Sequence, residues 1–276
     1  MTNLVLVKGA GDLATGVAGR LYRAGFPVVM TELPAPLCVR RTVSFAEAVV
    51  SGSQTVEGIT AVRADTASAV RAALAKGLVP VAVDPEARLI AALSPWAVVD
   101  AILAKRNTGT RMTDAPLVVA LGPGFTAGAD CHAVVETQRG HDLGRVYLQG
   151  SAIPDTGIPG EIGGASAERV LRAPCAGIFR NRAAITDLVS PGDVVAEVHG
   201  ADGTVAPVRT TIGGVLRGLL RDGTPVRANL KVGDVDPRGE LSQCYTVSDK
   251  ARAIGGGVLE ALLGLGARAG GLLSQR

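Results

Sequence analysis

The feature that most restricts this chain is a strand, a glycine turn, a helix and a second strand in immediate succession. Residues 4–7 are a short apolar run rich in β-branched side chains, and Gly9-Ala10-Gly11 follows at once. Helical spacing then runs from about residue 13 to residue 24 and stops at Gly25, after which Val28-Val29-Met30 reads as a buried strand. A crossover through one helix makes the two strands parallel and brings the glycine turn to their carboxyl end. Further apolar strands at 79–83 and 117–121, with helical patterns at about 64–75 and 96–105, extend the same texture. The expected fold class is therefore α/β, a Rossmann-like, mostly parallel sheet over residues 1–170.

After about residue 171 the texture changes to short Val-rich strands separated by Pro-Gly, Asp-Gly and Gly-Gly turns. This stretch echoes itself. Cys175-Ala176-Gly177-Ile178-Phe179 leads to Pro191-Gly192-Asp193-Val194-Val195, and Ile212-Gly213-Gly214-Val215-Leu216 leads to Asp222-Gly223-Thr224-Pro225-Val226. A glycine-led strand followed by such a turn looks like the barrel-sandwich architecture of biotinyl and lipoyl domains, so residues 171–247 are expected to form a smaller, β-rich, barrel-sandwich-like domain. The turn where such domains carry a modified lysine is His199-Gly200-Ala201-Asp202-Gly203-Thr204 here, without lysine. Residues 248–276 resume helical spacing, with Ser248 placed as an N-cap. Gly255-Gly256-Gly257 requires either a break in that helix or close packing against another backbone.

Composition narrows the function classes. A 47% hydrophobic, 19% charged chain of 276 residues can bury a large core, and none of its apolar stretches approaches the roughly 20 residues that span a bilayer. The net charge of +3 lies in scattered arginines, and aromatic residues make up only 3%, which argues against a nucleic-acid partner. Cys38, Cys131, Cys175 and Cys244 show no C-x-x-C spacing and read as reduced thiols, and residues 1–4 lack a secretory signal, so a cytoplasmic location is expected. Self-association remains open.

Gly9-x-Gly11-x-x-Ala14 matches a dinucleotide-binding fingerprint in the required strand–turn–helix context. Gly9 serves the tight turn, Gly11 the approach of a pyrophosphate, and Ala14 the close seating of the helix, while Lys8 and Asp12 flank the turn. Glu32 stands about 20 residues on, where a carboxylate meets a ribose diol. A second turn, Gly122-Pro123-Gly124-Phe125-Thr126, follows the strand at 117–121 in the same way. Beyond it, Arg139, His141 and Arg145 are candidate anion contacts. The neighbouring Asp130-Cys131-His132 fits no structural zinc class, and no metal is expected. The run from Lys231 to Arg238 is either a solvated hairpin or a site. The sequence has no G-x-S-x-G, H-E-x-x-H or P-loop lysine motif, so hydrolase, zinc-protease and nucleoside-triphosphatase readings have no motif behind them.

The stretches 7–16, 40–49, 122–128, 139–145 and 231–238 together resemble the YqeB family over nearly the whole chain, and the amino-terminal part is similar to the nucleotide-binding domain of XdhC-type proteins. The resemblance implies an accessory protein that matures a selenium-dependent molybdenum hydroxylase, its client enzyme. The implied ligand is molybdopterin dinucleotide or another nucleotide. Two other classes stay open from the residues alone: an NAD(P)-dependent oxidoreductase, and a non-enzymatic scaffold with a carrier-like β domain.

Overall fold

Strand β1 (Val5–Lys8) lies in the middle of a nine-stranded sheet in the computed structural model, which describes residues 3–268. All four β1 residues are buried, as a strand covered on both faces requires. Helix α1 (Asp12–Arg23) returns the chain to β2 (Val28–Glu32), which pairs parallel with β1. The chain then runs through α2 (Glu47–Ser51), β3 (Ser53–Val56), β4 (Ile59–Arg63), α3 (Ala67–Ala75), β5 (Val79–Val83), α4 (Leu89–Leu93), β6 (Ala97–Asp100) and β7 (Leu117–Leu121). It continues into β8 (Thr126–Ala127), β9 (Ala133–Val135), β10 (Val146–Tyr147) and β11 (Gly150–Ser151). The sheet order is β10-β9-β7-β6-β1-β2-β5-β4-β3, parallel from β9 to β4 and antiparallel at both edges.

The expectation of a Rossmann-like, mostly parallel sheet with a barrel-sandwich-like partner domain is corrected by this architecture. One mixed sheet is accompanied by three antiparallel sheets, β11-β8 and two of four strands. A doubly wound fold needs a helix in successive crossovers to cover both faces. Among the described residues, the connections β6 to β7 and β7 to β9 hold no α-helix, and α2 and α4 have five residues each. Hairpins end the parallel run at both edges, one of them through Glu57 (φ 48°) and Gly58 (φ 81°), two positive-φ residues that match strand twist. The helix expected over 96–105 is also corrected. Val98 and Val99 are fully buried β-branched residues of β6, and 101–111 is a loop.

Chain contacts divide the protein into two compact units, residues 1–36, 44–156 and 247–276 in one, and 37–43 with 157–246 in the other, where the texture of the sequence places boundaries at 170 and 247. The last helix, α5 (Asp249–Arg268), belongs to the first unit and packs on α1 and the sheet. Ser248 Oγ accepts from Ala251 N, and the triple glycine leaves the helix unbroken. A Cβ at Gly257 would run into Gly144 O, and one at Gly255 would lie 3.0 Å from Gly16 O, so close approach is the reason for glycine there.

The second unit holds β12 (Val170–Arg172), β13 (Gly177–Asn181), β14 (Leu188–Val189), β15 (Val194–His199), β16 (Val205–Arg209), β17 (Gly214–Leu219), β18 (Pro225–Val226) and β19 (Lys231–Asp236). They form two four-stranded antiparallel sheets, β12-β19-β17-β14 and β16-β15-β13-β18, around Phe179, Val195, Leu216, Leu219 and Val235. The sequence echo has a structural counterpart. Gly177 opens β13 against the carbonyl of His199, and Gly214 opens β17 against that of Asp236, each with no room for a Cβ.

Candidate functional site

Parallel pairing sets Lys8 opposite Thr31 on one side and opposite Asp100 on the other, at the carboxyl ends of β1, β2 and β6. Lys8 Nζ donates to Thr110 Oγ1 at 2.5 Å and lies 3.5 Å from Asp100 Oδ2. Thr110 Oγ1 donates in turn to that same carboxylate oxygen at 2.5 Å, and Ile102 N donates to Asp100 Oδ1. All three side chains are buried, so the ammonium and the carboxylate depend on each other for compensation. Sequence reading identified Lys8 but missed Asp100 and Thr110, because a helical reading of 96–105 hid the strand end that faces Lys8.

Gly9 (φ +91°) makes the turn, and Gly9 N donates to Thr31 O. A Cβ here would lie 3.0 Å from Ala101 O, so the start of the 101–111 loop fills the space beside it. Glu32 ends β2 as expected and folds back on the turn. Its Oε2 accepts from Ala10 N at 2.8 Å and its Oε1 from Leu33 N at 2.7 Å. Gly11 is the N-cap of α1, half-buried, with no side chain capping the helix, and Asp12 stands in the first turn. Ala14 is buried, as close seating of α1 demands.

The second glycine turn packs onto the same loop. At Gly124 (φ +102°) a Cβ would sit 2.5 Å from the backbone N and Cα of Arg106, and at Gly122 it would collide with Thr137 Oγ1. Phe125 is buried in the core rather than presented to a ligand. Thr126 N donates to Asp130 Oδ2, and its hydroxyl meets that of Ser151 at 3.0 Å. Asn107 organises the loop between the two turns: its Oδ1 accepts from Gly109 N and Thr110 N, and its Nδ2 donates to Thr110 O and Asp130 Oδ1.

The 139–145 stretch is the turn joining β9 to β10. Arg139 forms a two-pronged pair with Asp249 at 2.7 and 2.9 Å, and Arg145 pairs with Asp142 at 2.7 Å beneath a ring contact to Tyr147. His141 is exposed. Glu136, fully buried, anchors the turn by accepting from Thr137 N, Gln138 N and Ile153 N. His132 Nδ1 accepts from Val118 N. Burial, with Asp130 nearby, pushes the Cys131 thiol up to about 12, so it is not a thiolate nucleophile. Among the described residues, no group of three or more His, Cys, Asp or Glu could hold a metal ion.

In the second unit, most of the charged run 231–238 is strand β19, with a turn only at Pro237 and exposed Arg238. Asp234 and Asp236 alternate on one face of β19 and are buried. Asp234 accepts from Arg169 and Arg217, while Asp236 accepts from Arg217 and Arg238. Burial pushes the Asp234 carboxyl up, but the Lys231, Arg217 and Arg169 charges overcome it and hold it below the usual range. Asp236 is likewise held low against burial, by Arg238 and Arg217.

No family model matches the chain. It is 52% identical over 260 residues to a protein of Escherichia coli K12 named "Uncharacterized protein YqeB", covering 94% of this chain and 47% of that protein. The chain thus spans about half the length of the curated relative it matches. This likeness supports the YqeB resemblance; the name carries no activity. Among solved structures, an aspartoacylase family protein of Mesorhizobium loti is 13% identical, with 85% of each chain covered and a TM-score of 0.28. The ectoine utilization protein EutE of Ruegeria pomeroyi is 9% identical over 85% of this chain and 86% of that one, with a TM-score of 0.26. Likenesses this slight bring no activity to this chain. The expected role in molybdenum hydroxylase maturation, with its selenium link, is withdrawn: no relative or solved structure found is named for such a role.

Proposed function

We propose that the first unit binds a nucleotide, molybdopterin dinucleotide or another, at the carboxyl edge of β1, β2 and β6. The observation that carries this reading is the reversal of strand order at β1: β2, β5 and β4 are added on one side of it, and β6, β7 and β9, all parallel to it, on the other. Ligands of open α/β sheets lie in the crevice outside such a reversal. Here that edge carries half-buried Gly11, the first peptide groups of α1 and the buried Lys8–Asp100 pair. Peptide N–H groups at a helix start favour an anion. Glu32 holds the turn in shape through Ala10 N, with carboxylate lone pairs left for a hydroxyl.

The reading is tested by calorimetric titration of the wild type and Gly11→Val with molybdopterin dinucleotide, NAD and ADP. A β-branched side chain at the helix start blocks close approach of a phosphate, so binding is expected to disappear while the thermal midpoint holds. Undiminished affinity in a folded variant removes this turn from the site.

A further inference from the structure

We infer that the 101–111 loop is the phosphate-binding wall of this crevice, with Arg106 as its principal contact and Thr110 as the residue that positions it. The inference rests on the nucleotide reading above and gives the ligand an orientation. The loop occupies the interval between the two glycine turns. Its first residues fill the space beside Gly9, and its middle lies against Gly124, 2.5 Å from where a Cβ would stand. It is therefore the element that any ligand bridging the two turns must touch.

The loop's charge is one-sided. Residues 101–111 include Lys105, Arg106 and Arg111 and no acid, and all three cations are exposed. Lys105 is engaged with Asp155 at 2.6 Å. On the loop side the strand-end acid Asp100 is buried against Lys8, whereas on the other side of β1 the strand ends carry Glu32 on β2 and Asp84 just after β5, neither paired with a lysine or arginine among the described residues. The edge thus runs from acidic over β2 and β5 to basic over the loop. A ligand with a hydroxyl-rich sugar at one end and phosphoryl groups at the other fits it in one sense only, sugar toward Glu32 and phosphates toward Arg106.

The loop is also held rigidly, as a binding wall must be. Leu103 (φ 60°) and Lys105 (φ 61°) adopt left-handed backbone, and Asn107 locks the following turn through four hydrogen bonds. Thr110 then fastens the loop's end to Lys8 and Asp100 beneath the crevice. Arg106 contributes a planar fork of donors suited to phosphate.

The experiment titrates inorganic pyrophosphate, ADP and adenosine into the wild type, Arg106→Ala, Arg111→Ala and a control, Arg88→Ala, at low ionic strength. Arg106→Ala is expected to weaken pyrophosphate and ADP about tenfold while leaving adenosine and the thermal midpoint unchanged. Arg88→Ala is expected to change nothing. Thr110→Val should weaken ADP relative to adenosine, and Thr110→Ser should restore it. If the wild type binds ADP and both loop variants bind it equally well, the loop assignment is overturned and the nucleotide reading stands. Pyrophosphate binding that depends on Arg106, without any nucleotide binding, keeps the loop and overturns the nucleotide reading. A wild type that binds none of the three probes overturns both.

Discussion

Both units bury charge, and they do so differently. In the second unit three guanidinium groups and two carboxylates alternate along β19 and its neighbours, Arg169–Asp234–Arg217–Asp236–Arg238, so each carboxylate sits between two cations. In the first unit a single ammonium, Lys8, meets a single carboxylate, Asp100, at 3.5 Å with a threonine hydroxyl between them. The first arrangement is closed on itself and fixes the register of strands. The second lies under the end of a loop at the sheet edge proposed for the ligand. Buried charge becomes a functional candidate when its partners belong to a segment at an open edge, and a structural one when they belong to neighbouring strands.

The sharpest way to break this contrast is Asp234→Asn. It leaves Arg169 without its counter-charge in a buried place and Arg217 with Asp236 alone, at a cost of about 3–5 kcal/mol. Urea denaturation should show the loss. A change under about 1 kcal/mol would mean that the network is dispensable. The same network predicts a pH response. Asp234 and Asp236 have folded values held below the unfolded one of about 3.9, so their stabilisation is complete above that pH and is lost as pH falls through the lower folded values. Midpoints measured in urea should be flat from about pH 7 to 5 and fall below about pH 4.

The next effect belongs to the first unit. Gly124→Ala puts a Cβ against Arg106 backbone and takes a left-handed conformation with it, while Gly140→Ala (φ +132°) meets nothing within 4 Å. Both are strained, so their difference measures the loop contact. Gly124→Ala should be the more destabilising by about 1–3 kcal/mol in thermal or urea melts. Equal losses would show that the loop yields. Thr110→Val comes third, at about 1–3 kcal/mol, because it leaves Lys8 and Asp100 short of a hydroxyl partner in a buried place.

These positions also mark how far the sequence could be read. The β1–α1–β2 unit was legible because apolar strands, a glycine turn and a helical stripe follow one another without interruption. Val98 and Val99 were misread because a short buried run carries no period that separates strand from helix. Asp100 and Thr110 could not be found without the register that sets β6 beside β1, which is non-local information. The lack of a Rossmann domain was hidden for a related reason: a fingerprint reports one crossover and says nothing of the helices missing from later ones. On β19, period-two spacing of Asp234 and Asp236 was a visible strand signal, outweighed by the turn-forming Pro237 and Gly239.

The smallest effect on stability is expected at His141, and it tests whether the 139–145 turn shares the ligand with the loop. Arg139 and Arg145 are already paired with Asp249 and Asp142, whereas His141 is exposed on the turn. That turn follows β9, which runs parallel to β7 and so ends on the same sheet edge as Gly124. An exposed imidazole contributes little to folding, so His141→Ala should leave the thermal midpoint within the spread of about 0.5 kcal/mol typical of surface changes. A hydrogen bond from imidazole to a phosphoryl oxygen adds about 1.5 kcal/mol, so ADP affinity should drop roughly tenfold. Unchanged affinity together with unchanged stability would make 139–145 a solvated turn, and the binding wall would then end at Arg106 and Gly124.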